Sequence, residues 1–132
     1  MDYIIYLVAY PIIWLLSVLP FRLLYCVSDV LYFVMYVLLK YRVKVVRKNL
    51  HTAFPFKTTE ELRGIERKFY HHFCDTLLEM VKSYQMSEQE MKRRMVFTNI
   101  EVLRKYEDEE RNILFMCSHY ASYEWLLSLA YY

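Results

Sequence analysis

The chain has 132 residues, of which 57% are hydrophobic and 18% aromatic, and its formal net charge is +2. The length fits one small domain, but so apolar a composition is unusual for a soluble domain of this size and indicates contact with a membrane. The small net charge, carried by basic residues that alternate with aliphatic ones, excludes nucleic-acid binding. The three cysteines form no Cys-x-x-Cys pair, which is typical of free thiols in a reducing compartment.

The first predicted element is an uncharged apolar helix from Tyr3 to Leu19, with Pro11 near its middle. Such a helix is roughly 25 Å long, slightly short of a hydrocarbon core of about 30 Å. We expect it either to span the membrane, with Arg22 reaching the interface, or to lie partly embedded. Because Asp2 stands where a signal peptide has basic residues, and no small-x-small cleavage site follows, we expect the helix to be retained.

A second apolar segment runs from Phe21 to Leu39 and contains two charged residues, Arg22 and Asp29. A charge near the centre of a span costs about 2.5–3.5 kcal/mol, so Asp29 argues against a second free-standing transmembrane helix. We expect this segment to pack on protein or on the membrane surface. A two-span hairpin with Asp29 facing inward is the alternative.

A run of basic residues follows the second apolar segment directly. Positive charge beside a hydrophobic segment marks the cytoplasmic side and attracts anionic headgroups, although ordinary solvated charge is the alternative. The basic residues are Lys40, Arg42, Lys44, Arg47 and Lys48. We therefore divide the chain into a hydrophobic membrane-anchoring helical region, residues 1–39, and a second region, residues 40–132.

The second region is predicted to be mainly helical. Pro55 ends the basic helix, and Thr58 or Thr59 begins a long helix with Glu61 or Glu60 in a capping box. Apolar residues at three- and four-residue steps predict that this helix is amphipathic and that its apolar stripe is core. The stripe consists of Leu62, Ile65, Phe69, Phe73, Thr76, Leu77, Met80, Val81 and Tyr84.

Two histidines and a basic cluster are further candidate sites. His71 and His72 point about 100° apart and lack the His-x3-His spacing, so we do not expect a metal site. Ser87 is predicted to cap a short helix from Glu88 to Arg94, whose basic end either is solvated or binds an acidic carrier protein or phosphates. Residues 95–98 are predicted to form a strand, and residues 101–112 a polar helix and turn.

Five apolar residues from Ile113 to Cys117 fit a buried strand, although periodicity alone does not exclude a buried helix. Ser122 is a candidate N-cap for the helix that follows, with Tyr123 in the first helical position. In one continuous helix, residues five apart lie about 140° around the axis, so His119 and Glu124 would diverge. The predicted break lets the two side chains converge instead.

A histidine paired with a carboxylate fits acyl transfer to a hydroxyl. Imidazole, with a pKa near 6.5, accepts a hydroxyl proton at neutral pH, and a carboxylate on its other nitrogen fixes the tautomer and stabilises the imidazolium. His119 is therefore a candidate general base and Glu124 its charge partner. A packed histidine beside a solvated glutamate is the alternative on these residues alone.

Residues 119–124, which read His-Tyr-Ala-Ser-Tyr-Glu, resemble the His-x4-Asp/Glu motif of lysophospholipid acyltransferases. They are most similar to the late (lauroyl or myristoyl) acyltransferases of lipid A biosynthesis, where the motif usually reads His-x-Gly-Asn-Trp-Glu. The stretch from Asn49 to Pro55 is similar to that family's Asn-Leu-x3-Phe-Pro segment. Glu79 and the stretch from Glu101 to Leu103 also resemble family positions, so the resemblance runs through nearly the whole chain.

The resemblance implies an α/β fold class: an N-terminal membrane-associated helix, then a partial acyltransferase domain that is mostly helical in this portion, with a short central strand before the motif. It also implies transfer of a fatty acyl chain from an acyl carrier protein thioester to a hydroxyl of a lipid A precursor or related lysolipid, in lipopolysaccharide synthesis. His119 and Glu124 would be the catalytic residues, without a cofactor or metal. The partners would be the bilayer, the acceptor lipid and acyl carrier protein, at the cytoplasmic face of the bacterial inner membrane.

The chain departs from the family pattern in its motif and in its length. Ala121, Ser122 and Tyr123 stand where the family usually has Gly, Asn and Trp. Family members are roughly twice as long, so the resemblance implies an N-terminal portion. Two other functions stay open: a truncated, non-catalytic membrane remnant or interaction module, and an esterase or thioesterase that uses the same pair with water as acceptor.

Overall fold

The computed structural model describes residues 2–132, without the side chains of Asp2 and Ile4. Within this range it contains six α-helices, one π-helix, one 3₁₀-helix and no β-strand. The α-helices are α1 (Asp2–Val18), α2 (Phe21–Tyr32), α3 (Val43–Ala53), α4 (Thr59–Ser83), α5 (Glu88–Arg94) and α6 (Ile100–Asp108). The π-helix (Phe33–Leu38) continues α2 directly, and the 3₁₀-helix (Tyr123–Tyr131) lies near the end of the chain.

The local helix signals in the sequence are confirmed. The Thr58 hydroxyl accepts a hydrogen bond from the Glu61 backbone N–H (3.3 Å), and the Glu61 carboxylate accepts one from the Thr58 N–H (2.8 Å), which is the predicted capping box. The Ser87 hydroxyl accepts from the Glu90 N–H (3.2 Å) and begins α5 as predicted. Helix α3 ends two residues before Pro55.

Helix α4 is the centre of the fold, because α1, α2 and α3 all pack on it. Its buried stripe repeats at every fourth residue and consists of Leu62, Glu66, Tyr70, Cys74 and Leu78. The predicted stripe is therefore only partly core: beyond Leu62 its members are half-buried, except for Phe69, Met80 and Tyr84, which are exposed. The periodicity correctly predicts an amphipathic helix. However, helices α1 to α3 cover the face of α4 next to the predicted stripe, and which face they cover depends on contacts between residues distant in sequence.

Helix α2 and the π-helix run antiparallel to α4, as three contacts show. The Tyr25 hydroxyl donates to Glu79 (2.6 Å) near the C-terminal end of α4. The Tyr32 ring stacks on the His71 ring, with centroids 3.6 Å apart. The Tyr36 hydroxyl donates to Glu66 (2.9 Å) in the N-terminal half of α4.

An ion pair between half-exposed Arg47 and buried Glu66 joins α3 to α4. Arg47 donates from Nε to Glu66 Oε2 and from a terminal nitrogen to Oε1, both at 2.8 Å, and Glu66 is only 1% exposed. The hydrogen bond from Arg47 is the largest cause lowering the pKa of Glu66 below its usual range, with Tyr36 adding to it. Tyr70 lies one turn further along α4, and its hydroxyl donates to the Tyr41 carbonyl (2.5 Å).

The helical stretch that is long and apolar enough to cross a membrane is not the first apolar segment, which the sequence analysis expects to span the membrane or lie partly embedded in it. Among the described residues, Phe21–Leu38 alone is long and apolar enough to cross a membrane, with a mean hydropathy of 1.6 over 18 residues. The first apolar segment forms the shorter stretch Ile5–Val18. Only 11% of Phe21–Leu38 is buried, so this stretch is not a core helix. Length and composition alone are weak evidence that it crosses a membrane.

The two predicted strands are not formed. Residues 95–98 have no regular structure apart from bends at Met95 and Thr98, and Ile113 to Cys117 form an irregular segment with exposed side chains. A strand requires a neighbour to pair with its N–H and C=O groups, and residues 2–132 provide none here. The mainly helical character predicted for this portion is confirmed, whereas the central strand before His119 is not observed.

Candidate functional site

The candidate catalytic histidine lies on an irregular stretch, residues 111–122, which we call the histidine segment. This segment follows α6 and leads into the 3₁₀-helix. The His119 side chain is exposed, and its ring stacks on the Tyr123 ring with centroids 4.0 Å apart and an interplanar angle of 17°. The predicted break between His119 and Glu124 is therefore present, as a loop that ends at Ser122.

The structure brings His119 and Glu124 into the same region but does not join them. Within the described residues, no hydrogen bond or ion pair links the two side chains, and the His119 ring contacts Tyr123 instead. Glu124 Oε2 is buried and has no hydrogen-bond partner among the described atoms. The negative charge of Glu124 is the largest cause raising the pKa of Tyr123. Glu124 is thus coupled to Tyr123 by its charge, and one of its oxygens is buried without a partner among the described atoms.

Glu79 connects the histidine segment to the helices. The Ser122 hydroxyl donates to Glu79 Oε2, while the Tyr25 hydroxyl donates to Oε1 of the same carboxylate (2.6 Å). Three elements, α2, α4 and the start of the 3₁₀-helix, therefore meet at one side chain. Ser122 precedes the 3₁₀-helix as predicted, but its side chain bonds to Glu79 and forms no cap bond.

The 3₁₀-helix packs mainly on α5 and also contacts α4. Trp125 and Met91 are both buried between these elements. The Tyr132 hydroxyl donates to the carbonyl of Met95 (3.0 Å), which fixes the end of the chain to the end of α5. The Arg94 guanidinium lies 3.4 Å from the centroid of the Phe21 ring, so α5 also contacts the start of α2.

Two open cavities lie in this region, one between α4, α5 and the 3₁₀-helix and one along the histidine segment. One, of about 430 Å³, is lined by Glu79, Arg93, Arg94 and Trp125. The other, of about 420 Å³, has a mainly apolar lining and follows the segment itself. Its lining residues are Met95, Cys117, Ser118, Tyr120, Ala121, Ser122, Tyr123, Trp125 and Leu126. The stretch next to His119 therefore forms the wall of an apolar cavity.

Candidate metal ligands and nucleophiles are spread out. Among the described residues, no three His, Cys, Asp or Glu side chains converge on a point that could hold a metal ion. His71 stacks on Tyr32, and the nearest His72 ring contact is Tyr120 at 6.3 Å between centroids. Cys117 is exposed, whereas Cys74 is buried in the core.

A sequence model of bacterial lipid A biosynthesis acyltransferases matches residues 1–129. The chain belongs to this family. Searches of curated proteins and of solved structures gave no match. The match spans α1 to α6 together with His119 and Glu124, and it supports an acyltransferase function in general.

The family resemblance explains one strained position in the histidine segment. Ala121, which stands where these acyltransferases usually have glycine, has a φ of 51°. This is the left-handed region, which glycine adopts without steric cost and an alanine side chain disfavours by about 1–2 kcal/mol. Ala121 therefore adopts a left-handed backbone conformation for which glycine is better suited.

Sequence reasoning missed the contacts that hold the site in place. Glu79 resembles a family position, but the sequence assigns it no contacts, and its partners Tyr25 and Ser122 lie 54 and 43 positions away. No local periodicity encodes such pairs. The burial of Glu66 is also not predicted from the sequence, because a charged residue on an amphipathic helix normally faces solvent.

Proposed function

We propose that this chain is an acyltransferase that moves a fatty acyl group from an acyl carrier protein thioester to a hydroxyl of a lipid A precursor or a related lysolipid. The observation that carries the proposal is the family match over residues 1–129, which includes both His119 and Glu124. The proposed location is the bacterial inner membrane, with the site on its cytoplasmic face. The exposed apolar surface of α1 and α2 supports membrane association.

In the proposed reaction, His119 removes the proton of the acceptor hydroxyl while the hydroxyl oxygen attacks the thioester carbonyl. The new C–O ester bond forms, the C–S bond breaks, and the proton passes from His119 to the departing thiolate. Glu124 would accept a hydrogen bond from the other imidazole nitrogen. Its unpartnered Oε2 is available for this role once the His119 ring leaves the Tyr123 stack. No step requires a metal or cofactor.

The α/β fold class and the division into residues 1–39 and 40–132 belong to the same proposal. Leu114, Phe115 and Met116 are all more than half exposed, which is costly for apolar side chains. We propose that residues 113–117 form the central strand of the acyltransferase domain where another strand pairs with them. Residues 40–132 would then be the N-terminal part of that domain.

The test is acyl transfer followed by mass spectrometry, with labelled acyl carrier protein thioester, a lipid A precursor and membranes containing the protein. Both the 132-residue chain and a longer protein, extended to family length, should be assayed. We expect transfer by the longer protein and a loss of about 10²–10⁴-fold in His119→Ala, the usual contribution of a general base. His51→Ala, an exposed histidine on α3, is the matched control and should retain activity.

Two alternative functions would give different products in the same assay. The lack of a bond between His119 and Glu124 favours a non-catalytic interaction module, which predicts no turnover at either chain length. A thioesterase that uses the same residues predicts free fatty acid release without acceptor lipid. Full transfer by His119→Ala would remove the proposed base and with it the mechanism.

A further inference from the structure

The apolar stretch Phe21–Leu38 has a polar inner face. Its side chains toward α4 include Tyr25 and Tyr36, whose hydroxyls donate to Glu79 and Glu66 at 2.6 and 2.9 Å. Asp29 lies 3.7 Å from the His71 ring nitrogen on the same side of the stretch. The helix that is long enough to cross a membrane is thus attached to α4 along its length by polar contacts.

These contacts tie the position of Phe21–Leu38 in a membrane to that of α4. Along the portion that faces α2 and the π-helix, α4 carries the exposed side chains of Arg67 and Lys68. A charge carried into the hydrocarbon costs up to about 2.5–3.5 kcal/mol, the value for the centre of a bilayer. If Phe21–Leu38 crossed the membrane, α4 would have to enter the hydrocarbon with these charges. The contacts therefore argue against a crossing.

The outer face of the same stretch is apolar and exposed. It consists of residues that recur at steps of three and four: Leu23, Val27, Val30, Phe33 and Val37. Asp29, with a side chain 73% exposed, and Arg22, seven residues earlier, lie together at the border between the two faces. A helix with one apolar face and charges at its border is suited to lie in the interface plane of a bilayer.

Basic side chains lie directly after this outer face. Lys40, Arg42, Lys44 and Lys48 are all exposed, and within the described residues none of them forms an ion pair. Of the basic run, only Arg47 is used inside the fold, where it binds Glu66. Four free positive charges next to an exposed apolar face match an anionic lipid surface, where each basic residue is worth about 1 kcal/mol.

Helix α1 differs from α2, because from Ile5 to Leu15 it is apolar and nearly all its side chains are exposed, whereas it contacts α4 around buried Ser17 near its C-terminal end. Ile5, Leu7, Ile12 and Leu15 are each more than half exposed, although they point in several directions. Within the described residues α1 contains no polar face comparable to that of α2, and Lys82 donates to the carbonyl of Ser17 near its C-terminal end (2.7 Å). A helix that is apolar all round can be surrounded by hydrocarbon.

We propose that α2 and the π-helix lie in the plane of an anionic lipid surface, with α4 on the aqueous side, and that α1 is the helix that enters the hydrocarbon. The occupant of the exposed apolar face is thus the bilayer. The proposal rests on the membrane association in the proposed function, but it is independent of acyl transfer.

The test is a depth profile of single-cysteine variants in vesicles of phosphatidylcholine with phosphatidylglycerol. Cys26 and Cys117, the two exposed cysteines, are first replaced by serine, and buried Cys74 is kept. Nitroxide labels are then placed by Leu23→Cys, Val30→Cys and Val37→Cys, which span about 20 Å of helix. In-plane binding predicts equal depth at all three sites and a shallower label in Asp29→Cys.

A crossing helix predicts a different profile, with the Val30→Cys label about 10 Å deeper than the labels at either end. That result would overturn the in-plane proposal and leave the proposed function intact. The double variant Lys44→Glu with Lys48→Glu should weaken vesicle binding by at least about twentyfold, as two lost contacts of about fivefold each predict. Unchanged binding would refute the headgroup contact. Failure of the protein to bind any vesicle would overturn both the in-plane proposal and the membrane association, whatever the acyl-transfer assay shows.

Discussion

Two carboxylates, Glu66 and Glu124, illustrate the difference between the helical bundle and the histidine segment. Glu66 is buried in the bundle of α1–α4 and the π-helix, and its two oxygens accept three hydrogen bonds, two from Arg47 and one from Tyr36. Glu124 has one buried oxygen without a partner among the described atoms. The bundle thus satisfies its buried carboxylate completely, whereas the histidine segment is followed by one whose buried oxygen has no partner among the described atoms.

The two regions also differ in what holds them together. The bundle buries a continuous stripe of α4 against α1, α2 and α3. The histidine segment exposes nearly all its side chains, and the bond from Ser122 to Glu79 is its main tie to the helices. We therefore expect substitutions in the bundle to change global stability, and substitutions in the segment to change only local order. The rate at which a thiol reagent modifies each cysteine distinguishes these two effects, because Cys74 is buried in the bundle and Cys117 is exposed in the histidine segment.

The largest expected effect comes from removing the buried carboxylate. Glu66→Ala leaves Arg47 and Tyr36 without their acceptor, but Arg47 is about half exposed and can recover hydration. We therefore expect a loss of about 2–3 kcal/mol, below the 3–5 kcal/mol of a fully buried pair. Modification of Cys74 by a thiol reagent should become roughly 30- to 160-fold faster, as followed by mass spectrometry of the labelled peptides.

The controls for this prediction are a neighbouring substitution and a second cysteine. Lys68→Ala, on an exposed position of the same helix, should change stability by less than about 0.5 kcal/mol. Modification of Cys117 should be equally fast in the parent protein, in Glu66→Ala and in Lys68→Ala. An unchanged Cys74 rate in Glu66→Ala would show that the ion pair does not hold the bundle together.

The second effect is the pH dependence of the same interaction. Because the hydrogen bond from Arg47 lowers the folded-state pKa of Glu66, its stabilisation is fully present above the unfolded-state pKa of about 4.3 and is lost as pH falls through the folded-state pKa. Glu66→Gln should be about 1–2 kcal/mol less stable than the parent at pH 7. Denaturant unfolding should show this difference shrinking below about pH 4. A constant difference down to pH 3 would contradict the assignment.

The bundle and the histidine segment are not equally predictable from sequence. The start of α4 is readable because Thr58 and Glu61 signal locally, three residues apart. The predicted stripe of α4 lies next to the fully buried one, because the buried stripe includes Glu66, whose partners Arg47 and Tyr36 are 19 and 30 residues away. In the site, the motif pattern locates His119 and Glu124, but the Glu79 contacts depend on the packing of three elements. The predicted strand from Ile113 to Cys117 is not formed, because a strand requires a pairing partner that lies elsewhere in the sequence.

A smaller effect is expected where the histidine segment is tied to the bundle. Ser122→Ala removes the hydroxyl that donates to Glu79, at a cost of about 1 kcal/mol for a partly exposed bond to a carboxylate. Hydrogen exchange of residues 113–126 should become roughly fivefold faster, while Cys74 modification stays unchanged. Tyr25→Phe is the matched control, because it removes the other bond to Glu79 and should accelerate Cys74 modification instead. If Ser122→Ala also opened the bundle, the two regions would be one cooperative unit.

The smallest effect tests the backbone of the segment alone. Ala121→Gly relieves the strain at φ 51°, about 1–2 kcal/mol, but glycine also gains about 0.4–1 kcal/mol of entropy in the unfolded chain. The net stabilisation should be about 0.5 kcal/mol, seen as roughly twofold slower hydrogen exchange around His119. Ala130, in the 3₁₀-helix, does not have a positive φ, so Ala130→Gly should destabilise the chain locally and make hydrogen exchange faster. The direction of the change in hydrogen exchange separates relief of backbone strain from added flexibility. Faster exchange in both variants would mean that glycine acts only through its flexibility, and that the bend at residue 121 does not require glycine.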